Sequence, residues 1–133
     1  MAKIESKKLE INSPASNVYE FLLDLNNLER LMPSEKIEGW NSTENNCSFN
    51  IKGLSKIGMK RVASTPNMVI NLASDGKNPF DFTLDIHIEE NGQTCLAQIK
   101  FDGNMNPFIK AMVESPLKNF FNMLVEKLQE IKS

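Results

Sequence analysis

Between Phe80 and Asp102 polar and apolar side chains alternate so strictly that one local geometry fits them. Phe80, Phe82, Leu84, Ile86 and Ile88 share one parity; Asp81, Thr83, Asp85, His87 and Glu89 share the other. A strand points successive side chains to opposite faces, so this segment has one apolar and one polar face. Glu90-Asn91-Gly92 is a hairpin turn of the kind that favours positive φ. Cys95, Ala97, Ile99 and Phe101 then repeat the alternation against Thr94, Gln98, Lys100 and Asp102. Two strands wet on one side only belong to an antiparallel sheet, not to a parallel α/β core.

The same period of two runs back to residue 35. Ile37 and Trp40 make a short strand, and Asn41 to Asn46 a polar turn. Cys47, Phe49 and Ile51 alternate with Ser48, Asn50 and Lys52, Gly53 to Gly58 connects, and residues 59–65 and 68–72 are further strands. Ser74 to Pro79 is a loop by its turn chemistry. An opening strand is expected over residues 3–11. Ser13 then suits an N-cap and Pro14 the first helical position. Val18, Phe21, Leu22 and Leu25, then Leu28, Leu31 and Met32, predict two short helices broken at Asn26-Asn27 and ended by Pro33.

After the sheet the period changes to that of a helix. Leu117, Phe120, Phe121, Leu124, Leu128 and Ile131 recur at intervals of three and four. Ser115-Pro116 predicts that this helix starts afresh there, leaving Pro107 to Val113 as a separate apolar flap. Strands followed by one long helix imply an α+β fold, a curved antiparallel sheet of about six or seven strands under a C-terminal helix. The chain of 133 residues is expected to be a single domain, 1–133, without repeats. One helix covers only part of a wide sheet, so the arithmetic leaves an apolar strip that side chains or a ligand must fill.

Composition narrows the function classes. With 15 Lys+Arg, 17 Asp+Glu and a net charge of -2, no electrostatic footprint for nucleic acid is present. No segment approaches the roughly 20 apolar residues of a membrane span, and a charged N-terminus suggests a cytoplasmic chain. Cys47 and Cys95 lack metal-type spacing and are expected to be small buried residues.

Ser13-Pro14-Ala15-Ser16-Asn17-Val18-Tyr19-Glu20-Phe21-Leu22-Leu23-Asp24-Leu25, the Leu31-Met32-Pro33 exit and the closing helix Pro116 to Ile131 resemble the START-like helix-grip superfamily. That group includes polyketide cyclases and aromatases, birch-pollen-allergen-like proteins and relatives of a carbon-monoxide-dehydrogenase component. The resemblance spans essentially the whole chain. It implies a sheet gripping the last helix around an apolar cavity, small here because the chain is short. The glycine-rich loop of the pollen-allergen branch is missing, since Gly53 and Gly58 are too isolated to supply it.

The expected function is binding of a small hydrophobic or amphipathic molecule. Phe49, Ile51, Met59, Ile70, Phe82, Leu84, Ile99, Phe101, Phe120 and Leu124 are the candidate wall. Arg61 shares parity with Met59 and could meet an acidic head group; the competing parity puts Val62 inside and Arg61 in water, and the cost of an unpaired buried guanidinium favours it. Tyr19 and Trp40 are candidates for the pocket mouth. His87, the one histidine, is expected on the wet face beside Asp85 and Glu89. No catalytic residue, metal or cofactor is assigned. A cyclase- or dehydrase-like enzyme and a ligand-free interaction module, as a possible homodimer, are the alternatives.

Overall fold

A computed structural model describes residues 2–132. Among them, β1 (Ala2–Glu5), β2 (Leu9–Ile11), β3 (Ile37–Ser42), β4 (Asn46–Ile51), β5 (Lys56–Thr65), β6 (Val69–Ser74), β7 (Phe82–Asn91) and β8 (Thr94–Gly103) form one antiparallel sheet. Its order is β1-β8-β7-β6-β5-β4-β3, with β2 also paired to β8. The meander from β3 to β8 follows the alternating sequence. The β7–β8 hairpin sets Ile86 opposite Ile99, so the apolar faces of its two strands coincide.

The opening strand divides in two. Glu5 pairs with Lys100 and Leu9 with Ala97, so β1–β2 uses one more residue than β8 across that interval. The extra residue makes a bulge around Ser6, which is buried yet fully bonded. Its amide donates to the Ile99 carbonyl and its hydroxyl oxygen accepts from the Ile99 amide, both at 2.9 Å. Gln98 Nε2 donates to the Ser6 carbonyl at 2.9 Å.

Helix α1 (Ala15–Leu23) starts one residue later than the sequence predicts. Pro14, at ψ 151°, stays extended and acts as the N-cap, its carbonyl accepting from Asn17 and Val18. The break after α1 falls at Asp24, not at the asparagine pair. The Asp24 carboxylate accepts from the Asn26 amide at 3.0 Å and so caps a 3-10 helix, Leu25–Leu31. Asn27 sits inside that helix and donates back to the Phe21 carbonyl at 2.8 Å.

The closing helix α2 (Pro107–Ile131) is continuous over 25 residues. It begins as expected, with Asn106 Oδ1 accepting from the Ile109 amide at 2.9 Å and Pro107 in the first turn. It does not break at Ser115-Pro116. A helical proline removes the bond to the carbonyl four residues back, here that of Met112. Met112, Ser115 and Pro116 are all exposed, a setting in which solvent can satisfy a freed carbonyl, and the helix runs through.

Candidate functional site

The inner face of the sheet, α1, the 3-10 helix and the second half of α2 meet in a core of aliphatic, phenylalanine and methionine side chains. Phe82 and Phe101 stack at 5.2 Å, Phe101 meets Phe121 at 5.3 Å, and Phe49 stacks on Phe120 at 6.2 Å. Ring stacking of this kind fills most of the strip that one helix leaves uncovered. Among the described residues two small voids remain in this core.

The first, about 30 Å³, has no polar surface. Among the expected residues, Phe49, Ile51 and Met59 line it from β4 and β5, and Phe82, Leu84 and Phe101 from β7 and β8. Phe120 and Leu124 close it from α2. Met32, Ile57, Phe80, Leu117 and Phe121 also line it and were not singled out from the sequence. Leu117 and Phe121 carried a usable signal, since they share the helical stripe with Phe120 and Leu124. The second void, about 20 Å³, lies deeper against the 3-10 helix and is also wholly apolar. Ile99 lines this one, whereas Ile70 is fully buried beside neither. Met32, Met59, Leu84 and Leu124 stand between the two voids and touch both.

Arg61, Tyr19 and Trp40 are not part of either wall. Arg61 keeps the parity of Met59, as Val62 is 53% exposed, contrary to the favoured alternative. The bulge between Arg61 and Ala63 aims the guanidinium at the end of α1. There it donates to the Leu23 and Glu44 carbonyls and to Asn45 Oδ1. These bonds fasten the helical elbow to the β3–β4 turn. Tyr19 is buried, and its hydroxyl meets Ser64 Oγ at 2.9 Å. Trp40 bonds Ser42 Oγ through Nε1 at 3.0 Å and stacks on Phe49 at 5.3 Å, one ring removed from the first void. His87 lies half-buried on the outer face, pairing with Gln98 across β8. Its neighbours Asp85 and Glu89 are engaged by Asn71 and Lys8.

The cysteines offer no nucleophile. Burial pushes the Cys47 thiol up to about 12 and raises that of Cys95, so neither supplies thiolate near neutral pH.

Outside the first void an open groove of about 750 Å³ runs between α2 and the ends of β3 and β4. Ile51 and Phe120 belong to both the groove and the void. The groove also carries Lys7, Lys36, Lys52 and Glu126. Charge is thus confined to the groove, and the voids beneath α2 are lined by apolar residues alone.

The architecture matches solved structures end to end. A START superfamily protein from Mycobacterium smegmatis superposes with a TM-score of 0.76 at 15% identity, covering 98% of this chain and 96% of that one. The chain has the START-like helix-grip fold. The protein XoxI from Bacillus cereus shares the helix-grip arrangement with a TM-score of 0.78 at 13% identity, over 99% of this chain and 96% of that one. Norcoclaurine synthase from Thalictrum flavum, solved with dopamine and hydroxybenzaldehyde, gives 0.72 at 13% identity, over 98% of this chain and 85% of that one. No family model and no curated protein matches the sequence. At these identities the likeness is one of helix-grip backbone. The residues of the site must be read from this chain itself.

Proposed function

We propose that this protein binds a small hydrophobic or amphipathic molecule between its sheet and C-terminal helix, and that it acts by binding rather than catalysis. One observation carries the reading: Ile51 and Phe120 line both the open groove and the apolar void behind it, so the two spaces adjoin through apolar side chains. The void alone would not carry it. At about 24 cal/mol per Å³ a void of about 30 Å³ costs about 0.7 kcal/mol, which any packed core tolerates. Small-molecule sites occupy about 300–1,000 Å³, a range that the groove meets and the void does not.

A ligand therefore lies mainly in the groove and enters the core by displacing side chains. Phe120 is the nearest barrier, and Met32 and Met59 behind it are flexible enough to give way. The first half of α2 is lightly held, with Val113 its one buried residue between Pro107 and Pro116. Within the core the walls of both voids lack titratable groups, so the part of a ligand that enters there meets only apolar contact, which supports binding. The dopamine and hydroxybenzaldehyde bound by norcoclaurine synthase support the choice of small, partly apolar molecules as ligands.

Trp40 is the sole tryptophan and stacks on a ring that lines the void, so it reports on filling. Titration with hexanol, decanol and dodecanol should give a saturable change in Trp40 emission and a rise in Tm. A ligand at about 100 times its Kd adds about 2.7 kcal/mol of stability. If none of these alcohols, nor an aromatic aldehyde, moves either signal, the binding reading fails.

A further inference from the structure

Lys36 and Lys52 stand side by side at one end of the β3–β4 ribbon. The Lys52 amide donates to the Lys36 carbonyl at 2.8 Å, extending the ladder one step beyond the Ile37–Ile51 pair. Both side chains are exposed and both line the groove. Like charges facing each other across a ladder destabilise it, and a nearby carboxylate would ordinarily offset the repulsion. None does so here. The ion pairs among the described residues join Lys7 to Glu126, Lys8 to Glu89, Lys110 to Glu114 and Lys127 to Glu130, leaving Lys36 and Lys52 without an acidic partner. Glu35 and Glu38, their neighbours in sequence, do not line the groove. Lys7 and Glu126 cancel one another, so among the described residues the groove keeps two uncompensated positive charges on a chain whose net charge is -2.

We propose that the groove takes a single-chain amphiphile with a carboxylate head, a long-chain fatty acid in chemical class. The head lies between the Lys36 and Lys52 ammonium groups, one oxygen to each. The tail runs along Ile51 and Met112 to Phe120, the side chain that separates groove from void, and its end enters the core as Phe120 gives way. This rests on the binding function proposed above and adds its charge and polarity. A carboxylate fits because it offers two oxygens and one negative charge, enough to relieve the repulsion between two ammonium groups without importing an excess.

The test compares dodecanoate with dodecanol, each below its micelle concentration, by Trp40 emission and calorimetry. Dodecanoate should bind the native protein about tenfold more tightly than dodecanol at low salt, and high salt should remove the difference by screening. The double variant K36Q/K52Q should lose about tenfold in dodecanoate affinity while dodecanol is unchanged. Both lysines are exposed, so the variant folds, and its own Tm should equal or exceed that of the native chain because a like-charge pair is gone. The control K56Q/K118Q, at exposed lysines outside the groove, should leave dodecanoate affinity unchanged. Equal affinities for acid and alcohol, or a K36Q/K52Q variant that binds dodecanoate normally, would overturn the carboxylate site and leave the binding function standing. Tight binding of dodecyl phosphate without dodecanoate would also overturn it. Failure of acid and alcohol alike would remove the function on which it rests.

Discussion

Gly58 lies where β5 passes the loop joining β6 to β7, and a Cβ there would sit 2.5 Å from the Asp75 carbonyl oxygen. The close approach is clamped by Asn78. Its Oδ1 accepts from the Gly58 amide at 2.9 Å, and its Nδ2 donates to the Gly58 and Asp75 carbonyls at 3.1 Å each. Gly58→Ala should therefore cost about 1–3 kcal/mol, as an overpacked site does, because the obstructing atom is backbone and cannot swing aside. Urea denaturation measures this, and a change within about 0.5 kcal/mol would mean that the loop yields. The sequence marks Ser74 to Pro79 as a loop but says nothing of the strand it leans on. Arg61 teaches the same lesson. Its inward parity was one of two available readings, but "inward" at that point of β5 means the end of α1, not the void. Strand parity gives a direction, and only the packed neighbours say what lies in that direction.

At the scale of elements, period and turn chemistry fixed which segments are strands and which are helices, and their ends were less legible. Asp24 displaced Asn26-Asn27 as the break because its carboxylate takes the Asn26 amide, while the Asn26 and Asn27 side chains are engaged by Ser42 and the Phe21 carbonyl. Proline in α2 misled for a different reason. Ser115-Pro116 has the pattern of a helix start, yet its cost depends on whether the freed carbonyl can reach water, which sequence does not reveal. Since Pro116 stays in an exposed helix interior, Pro116→Ala should stabilise the protein by about 1–3 kcal/mol. Thermal unfolding should show a higher Tm for the variant. An unchanged or lower Tm would mean that α2 gains from a bend at Met112 to Pro116.

For the molecule as a whole, the distinctive property is a core that is almost, but not wholly, filled. Leu124 touches both voids, so Leu124→Ala should join them into one larger cavity. The expected cost is about 2–5 kcal/mol by chemical denaturation, toward the upper end if the walls stay rigid. The variant should also gain a benzene-dependent rise in Tm that the native chain lacks. A cost below about 1 kcal/mol, without benzene binding, would mean that Met32 and Met59 collapse into the space.

The amino-acid sequence by itself determined the strand meander, its wet and dry faces, the helical elbow and the apolar stripe of the last helix. These depend on periods of two and of three to four, which are local properties. It also supplied most of the void's wall, because every inward position on β4, β7 and α2 faces the same interior. Tertiary structure alone decided how much space remains inside, where Arg61 and Tyr19 spend their hydrogen bonds, and that Lys36 and Lys52 meet at the groove. Residual volume is a small difference between large packed volumes. The meeting of two lysines sixteen positions apart depends on the register of β3 against β4, where one irregularity between Glu38 and Asn41 resets every pair beyond it.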